Sequence, residues 1–134
     1  MNKNNNLPKE LPPDTETIQV DVIGSVTKRR FLGEFIVRIP TLEDQSSMGR
    51  LEASLNGEST SSGLIRMNRM ISYLKYTVVE APPTWRDANM GHRLRDPNVI
   101  EAVYDQVLAF EDRWLKQVWG EPGDENEQDS EAKD

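Results

Sequence analysis

A chain of 134 residues, 36% hydrophobic and 29% charged, has room for one modest core and not for two domains of ordinary size. It has no cysteine and a single histidine, His92, which excludes disulfides, thiolate metal sites and a zinc site built on two imidazoles. The net charge of −7 is a property of the ends, since residues 121–134 hold seven acids and one base while residues 17–120 carry 13 of each. A neutral body lacks the basic face that binding to phosphate backbones needs, so no nucleic-acid role is expected.

The opening MNKNNNLPKELPPD has no apolar stretch of the kind a leader needs, and no run reaches the length of a membrane span. A soluble intracellular protein is the expectation. Residues 1–16 offer only Met1, Leu7 and Leu11 as large apolar side chains, too few to offset the entropy of ordering, and are read as a disordered arm.

TIQVDVIG places Ile18, Val20 and Val22 on one side and Gln19 and Asp21 on the other, the period of a half-buried strand. RRFLGEFIVRIP continues with Phe31, Phe35, Val37 and Ile39 in one period-two row. The polar GSVTKR between them, with Gly24 suited to a turn, makes a β-hairpin over 17–40. A lone hairpin is marginal in water, so it must pack on helices or extend a sheet.

Pro40 closes the hairpin, and Thr41 with Asp44 three residues on fits a capping box for a helix over 42–55. Its apolar face (Leu42, Met48, Leu51, Leu55) is sparse, and Asn56-Gly57 stops it. A second helix is expected over 62–79, with Leu64, Met67, Ile71, Leu74 and Val78 as a stripe that Met70 and Tyr73 widen. Pro82-Pro83 ends it. The third, over 97–119, has the best start in the chain, with Asp96 as N-cap and Pro97 at the first helical position. Val99, Val103, Phe110 and Trp114, flanked by Ile100, Tyr104, Val107 and Leu108, give it a wide apolar face over ~33 Å. Gly120 and Pro122 stop it. Residues 121–134 have nothing to bury and are read as an acidic disordered tail.

The crossover EAPPTWRDANMG joins the last two helices. Pro82-Pro83 stiffens it, Gly91 permits a reversal, and Trp85 supplies a large contact area whose indole N–H asks for a partner near a wet rim. Trp85 reads either as a structural anchor or as a ligand contact.

The residues spell out no reaction. His92 lies near Asp87 and Asp96 in sequence, and a solvated loop histidine accounts for it. GxSxG, GxGxxG and phosphate-loop patterns are absent, and no catalytic, cofactor or metal residue is assigned. Lys28-Arg29-Arg30 reads as a solvated turn or as a contact for an acidic partner. Methionines at 48, 67 and 70 suit either core filling or a conformable groove for partner helices. The expected fold is therefore α+β: an N-terminal β-hairpin packed on a small bundle of about three α-helices. Its expected partner contacts are Met67, Met70, Tyr73 and Trp85. Exposed hairpin edges leave room for a homo-oligomer.

Three phrases, KRRFLGEFIVRIPTLEDQ, APPTWRDANMG and LRDPNVIEAVYDQVLAFE, resemble the tail assembly chaperones of tailed bacteriophages over roughly residues 24–115. The likeness rests on Gly33-Glu34-Phe35, Pro83-Thr84-Trp85 and Asp96-Pro97-Asn98-Val99-Ile100 in that order, with Tyr104 following. The resemblance implies a non-enzymatic protein of the host cytoplasm. It would bind the tape measure protein, tail tube subunits or both, and keep them soluble during tail morphogenesis. A structural virion component, such as a tail-completion or head–tail connector protein, is the alternative.

Overall fold

The computed structural model describes residues 10–120. Two nine-residue strands, β1 (Thr15–Ile23) and β2 (Arg30–Arg38), pair antiparallel without a register break. Ile18, Val20, Phe35 and Val37 turn to one side and are sealed, as the period-two pattern requires. The strand β1 begins two residues before the expected start. Residues 10–16, expected in a disordered arm, are held by three contacts: Ile39 N–H donates to the Asp14 carbonyl at 2.8 Å, Trp114 Nε1 donates to the Pro12 carbonyl at 3.2 Å, and Glu16 pairs with Arg113. Residues 1–9 and the acidic tail lie outside the described residues.

Helix α1 (Leu42–Asn56) starts on the capping box that Thr41 and Asp44 make, both reciprocal hydrogen bonds being present. Leu42 is 81% exposed, and Met48 is the one apolar side chain of α1 to be fully buried. Helix α2 (Ser62–Thr77) is capped by the Ser61 side chain. It ends two residues short of the expected Val79. The chain leaves it at Val78 in an extended conformation and forms β3 (Val78–Glu80), which pairs antiparallel with β2. The helical stripe ran on through Val78, but two β-branched residues beside an open side of β2 gain more from pairing. The hairpin is thus part of a three-stranded sheet in the order β1-β2-β3.

Pro83–Arg86 forms a single helical turn, α3, within the crossover. Helix α4 (Pro97–Trp119) spans the expected residues and packs on β1 and α2. Val99, Ile100, Val103, Val107 and Phe110 are sealed between it and the sheet. Each contributes roughly 1.5–3 kcal/mol of gross burial free energy, before entropy is subtracted. The fold is α+β, with helices gathered on one face of a small antiparallel sheet.

Trp85 is fully buried and anchors the crossover. Its ring meets Phe35 edge-on at 5.2 Å and Phe31 at 6.5 Å. The indole Nε1 has no hydrogen-bond partner, contrary to the expectation of one at a wet rim. Ring packing outweighs an orphaned donor here. Gly91, at φ +88°, lies under that ring; a Cβ there would stand 2.7 Å from Trp85 Cη2.

Candidate functional site: an apolar partner-binding surface

The sequence fits Asp96 to the N-cap of α4, and it occupies that position, yet its side chain makes no capping bond. The carboxylate reaches instead across the fold to the β1–β2 turn. Oδ1 accepts from Val26 N–H at 2.8 Å and Thr27 N–H at 2.7 Å, and Oδ2 from the Thr27 hydroxyl at 2.7 Å. Asn98 completes the clamp, accepting from Ser25 N–H and donating to the Ile23 carbonyl, both at 2.8 Å. Gly24 makes room: a Cβ would fall 2.3 Å from the Asp96 carboxyl. The Thr27 hydroxyl and amide, followed by Val26 N–H and the charge of Lys28, hold the Asp96 carboxyl below the ordinary aspartate value. Asp96 is therefore a structural clamp and not a partner for His92, which is exposed.

Of the four expected partner contacts, the structure seals two. Trp85 is fully buried and Met70 is 2% exposed, so neither offers a surface. The reason is geometric: both belong to the buried core cluster, and the rings of Phe31 and Phe35 in β2 pack on Trp85. Met67 is half-buried and lines a cleft of about 170 Å³ with Leu64, His92 and Arg95. Tyr73, six residues further along α2, is half-buried, with its ring edge-on to Tyr104 at 5.6 Å and its hydroxyl on Glu111. Burial, together with the neighbouring Glu111 carboxylate, drives the Tyr73 hydroxyl far above its usual range. Burial also raises Glu111, and the Tyr73 hydrogen bond offsets part of that.

Tyr73 and Glu111 stand at one end of a two-lobed groove. One lobe, of about 320 Å³, is lined by Ile39, Pro40, Gln45, Tyr73, Glu111, Trp114 and Leu115. The other, of about 350 Å³, runs on over Ile39, Pro40 and Trp114 to Leu11, Pro12 and Pro13. Three segments build it: the entry to β1, the corner between β2 and α1, and the last turns of α4. Arg38 braces the corner, donating to the Tyr76 carbonyl at 3.1 Å and to Asp44 at 2.8 Å. Asp44 also accepts from the Thr41 amide; that bond, the Thr41 hydroxyl and Arg38 hold its carboxyl below the usual range despite burial.

On the same end of α4, Leu115 is 38% exposed, Val118 37% and Trp119 68%. Leu11 at 66% and Leu42 at 81% are exposed on the adjoining segments. At about 100° per residue, Trp114, Leu115, Val118 and Trp119 spread over some 140° of the helix, more than the sheet below covers. That spread is a sequence signal for an exposed apolar surface; the apolar face read from the sequence ended at Trp114 and left out Leu115, Val118 and Trp119. Leu11-Pro12-Pro13 was missed because it was assigned to the arm.

No family model, curated protein or solved structure matches the chain.

Among the described residues, no group of three or more histidine and acidic side chains is placed to hold a metal ion. The groove offers aromatic and aliphatic surface with a few hydrogen-bonding groups at its floor. Such a surface can take up an apolar side of another polypeptide.

Proposed function

We propose that the protein is a non-enzymatic binder of other protein chains, acting as a tail assembly chaperone for the tape measure protein in the host cytoplasm. The observation that carries the reading is the apolar groove at the C-terminal end of α4, with Trp119, Val118 and Leu115 exposed beside it. Folded proteins rarely leave two tryptophans and several aliphatic side chains together at a surface without a use for them. An amphipathic helix laid across Ile39, Pro40 and Trp114 would bury its apolar stripe in the way that helix-in-groove complexes do. The resemblance of the phrases around Gly33, Trp85 and Asp96 supplies the class of partner, a long helical protein prone to aggregation. Tail tube subunits are the other client that the resemblance implies.

The test is co-expression of the full chain with the tape measure protein of the same phage. The wild type should keep the tape measure protein in the soluble fraction and co-elute with it on gel filtration. A chain carrying Leu115→Ser and Trp119→Ser should fold and lose both effects. Unchanged insolubility of the tape measure protein beside the wild-type chain would overturn the reading. Mass spectrometry of purified particles then separates it from the virion-component alternative, since a chaperone should be missing from them.

A further inference from the structure

The two edges of the sheet are built differently. On one side β3 is three residues long, pairs through a register irregularity and runs into Ala81-Pro82-Pro83. Short length, a break in register and proline are the devices that keep a sheet edge from recruiting another strand. On the other side β1 has none of them. It is nine residues long, pairs with β2 without a bulge, and contains neither proline nor lysine. Of its solvent-facing residues Thr15, Thr17, Gln19, Asp21 and Ile23, one is charged, and Arg30 neutralises it through two bonds of 2.8 Å. Among the described residues no strand pairs on the outer side of β1.

The ladder also fixes which backbone groups face outward. Ile39 N–H bonds to the Asp14 carbonyl and Gly24 N–H to the Arg29 carbonyl, in the same register as the strands. Hydrogen-bonded pairs alternate along an antiparallel ladder. The even-numbered residues of β1 therefore bond to β2, and the odd-numbered ones present their N–H and C=O groups to the open side.

We infer that β1 is a homodimerisation edge, pairing antiparallel with β1 of a second copy about a two-fold axis through Gln19 to give a continuous six-stranded sheet. This is the register that uses all nine residues of both strands. It sets Gln19 opposite Gln19, with the outward backbone groups of both copies facing each other. Asp21 lies opposite Thr17, whose hydroxyl can donate to it, and Glu16 lies opposite Val22. Sliding the copies to centre on Asp21 would set two carboxylates face to face and leave five residues of each strand paired. Charge and length thus favour one register, and the proposal is independent of the chaperone reading.

The absence of native cysteine makes the test clean. In a hydrogen-bonded antiparallel pair the Cα atoms are about 5.5 Å apart, within disulfide range. Gln19→Cys should cross-link into a covalent dimer under mild oxidation at least tenfold faster than Asp21→Cys or a control at exposed Ser46. Light scattering on the full wild-type chain should give twice the 15.3 kDa chain mass. Gln19→Lys and Gln19→Glu should each be monomeric with unchanged circular dichroism, and mixing the two should restore the dimer. A folded wild type that stays monomeric at every concentration would sink the proposal. So would equal cross-linking at positions 19, 21 and 46.

Discussion

The two halves of α4 carry the same kinds of side chain and meet opposite fates. From Val99 to Phe110 every large apolar residue on the inner side is sealed against the sheet and α2. From Trp114 to Trp119 apolar residues fan around the helix, and the sheet no longer covers them. The lesson is that hydrophobicity of a helix predicts burial only where a second layer is wide enough to receive it. The first half is sealed in the core, and the second half is left exposed.

Substitutions at four positions test that division, taken from the largest effect on stability to the smallest. Trp85→Ala should remove ~3–5 kcal/mol, read from urea denaturation, because it empties the space between Phe31, Phe35 and the sealed half of α4. Trp85→Phe should cost clearly less, since the indole N–H it deletes has no partner to lose. If the two variants were equally damaged, the packing account of the sealed end would be wrong.

Asp96→Ala removes the clamp between the start of α4 and the β1–β2 turn. Hydrogen exchange at the Val26 and Thr27 amides should speed up while the amides of Val103 and Val107 stay protected. The Asp96 carboxyl is depressed in the fold, so its contribution is present above the unfolded aspartate value and lost as pH falls through the folded one. The variant should therefore show a shallower loss of stability on acidification than wild type.

Glu111→Gln probes the border between the halves. Burial raises the Glu111 carboxyl, so the folded state holds a proton that the unfolded state has already released. Wild-type stability should then fall as pH rises from the unfolded glutamate value through the raised folded one. The glutamine can still accept from Tyr73 without carrying charge. Its melting temperature should exceed that of wild type at neutral pH and converge with it in acid.

Trp119→Ser should change stability by no more than about 0.5 kcal/mol, as exposed substitutions do. It should nonetheless weaken capture of the partner at least tenfold in a titration, since exposed tryptophans dominate interfaces. A loss of stability approaching that of Trp85→Ala would erase the distinction between the two halves.

Much of this architecture was legible along the chain because its causes are local. Alternation gave β1 and β2, the Thr41–Asp44 pair gave the start of α1, and Asp96-Pro97 and Gly120 bounded α4. Each depends on residues a few positions apart, whose geometry the backbone period dictates. The third strand was not legible, since Val78 continues a helical stripe as well as it starts a strand, and only the open side of β2 decides between them. Nor was the groove, whose walls come from residues about a hundred positions apart, Pro12 and Trp114.

The sequence by itself determined the α+β class, the hairpin, the helix starts and the wide apolar face of α4. Tertiary structure alone decided that Trp85 and Met70 are sealed, that Asp96 holds a turn some seventy residues away, and that the last turns of α4 stay uncovered. The physical reason is that capping and periodicity act over single turns of chain, whereas burial is fixed by which distant surface happens to lie opposite.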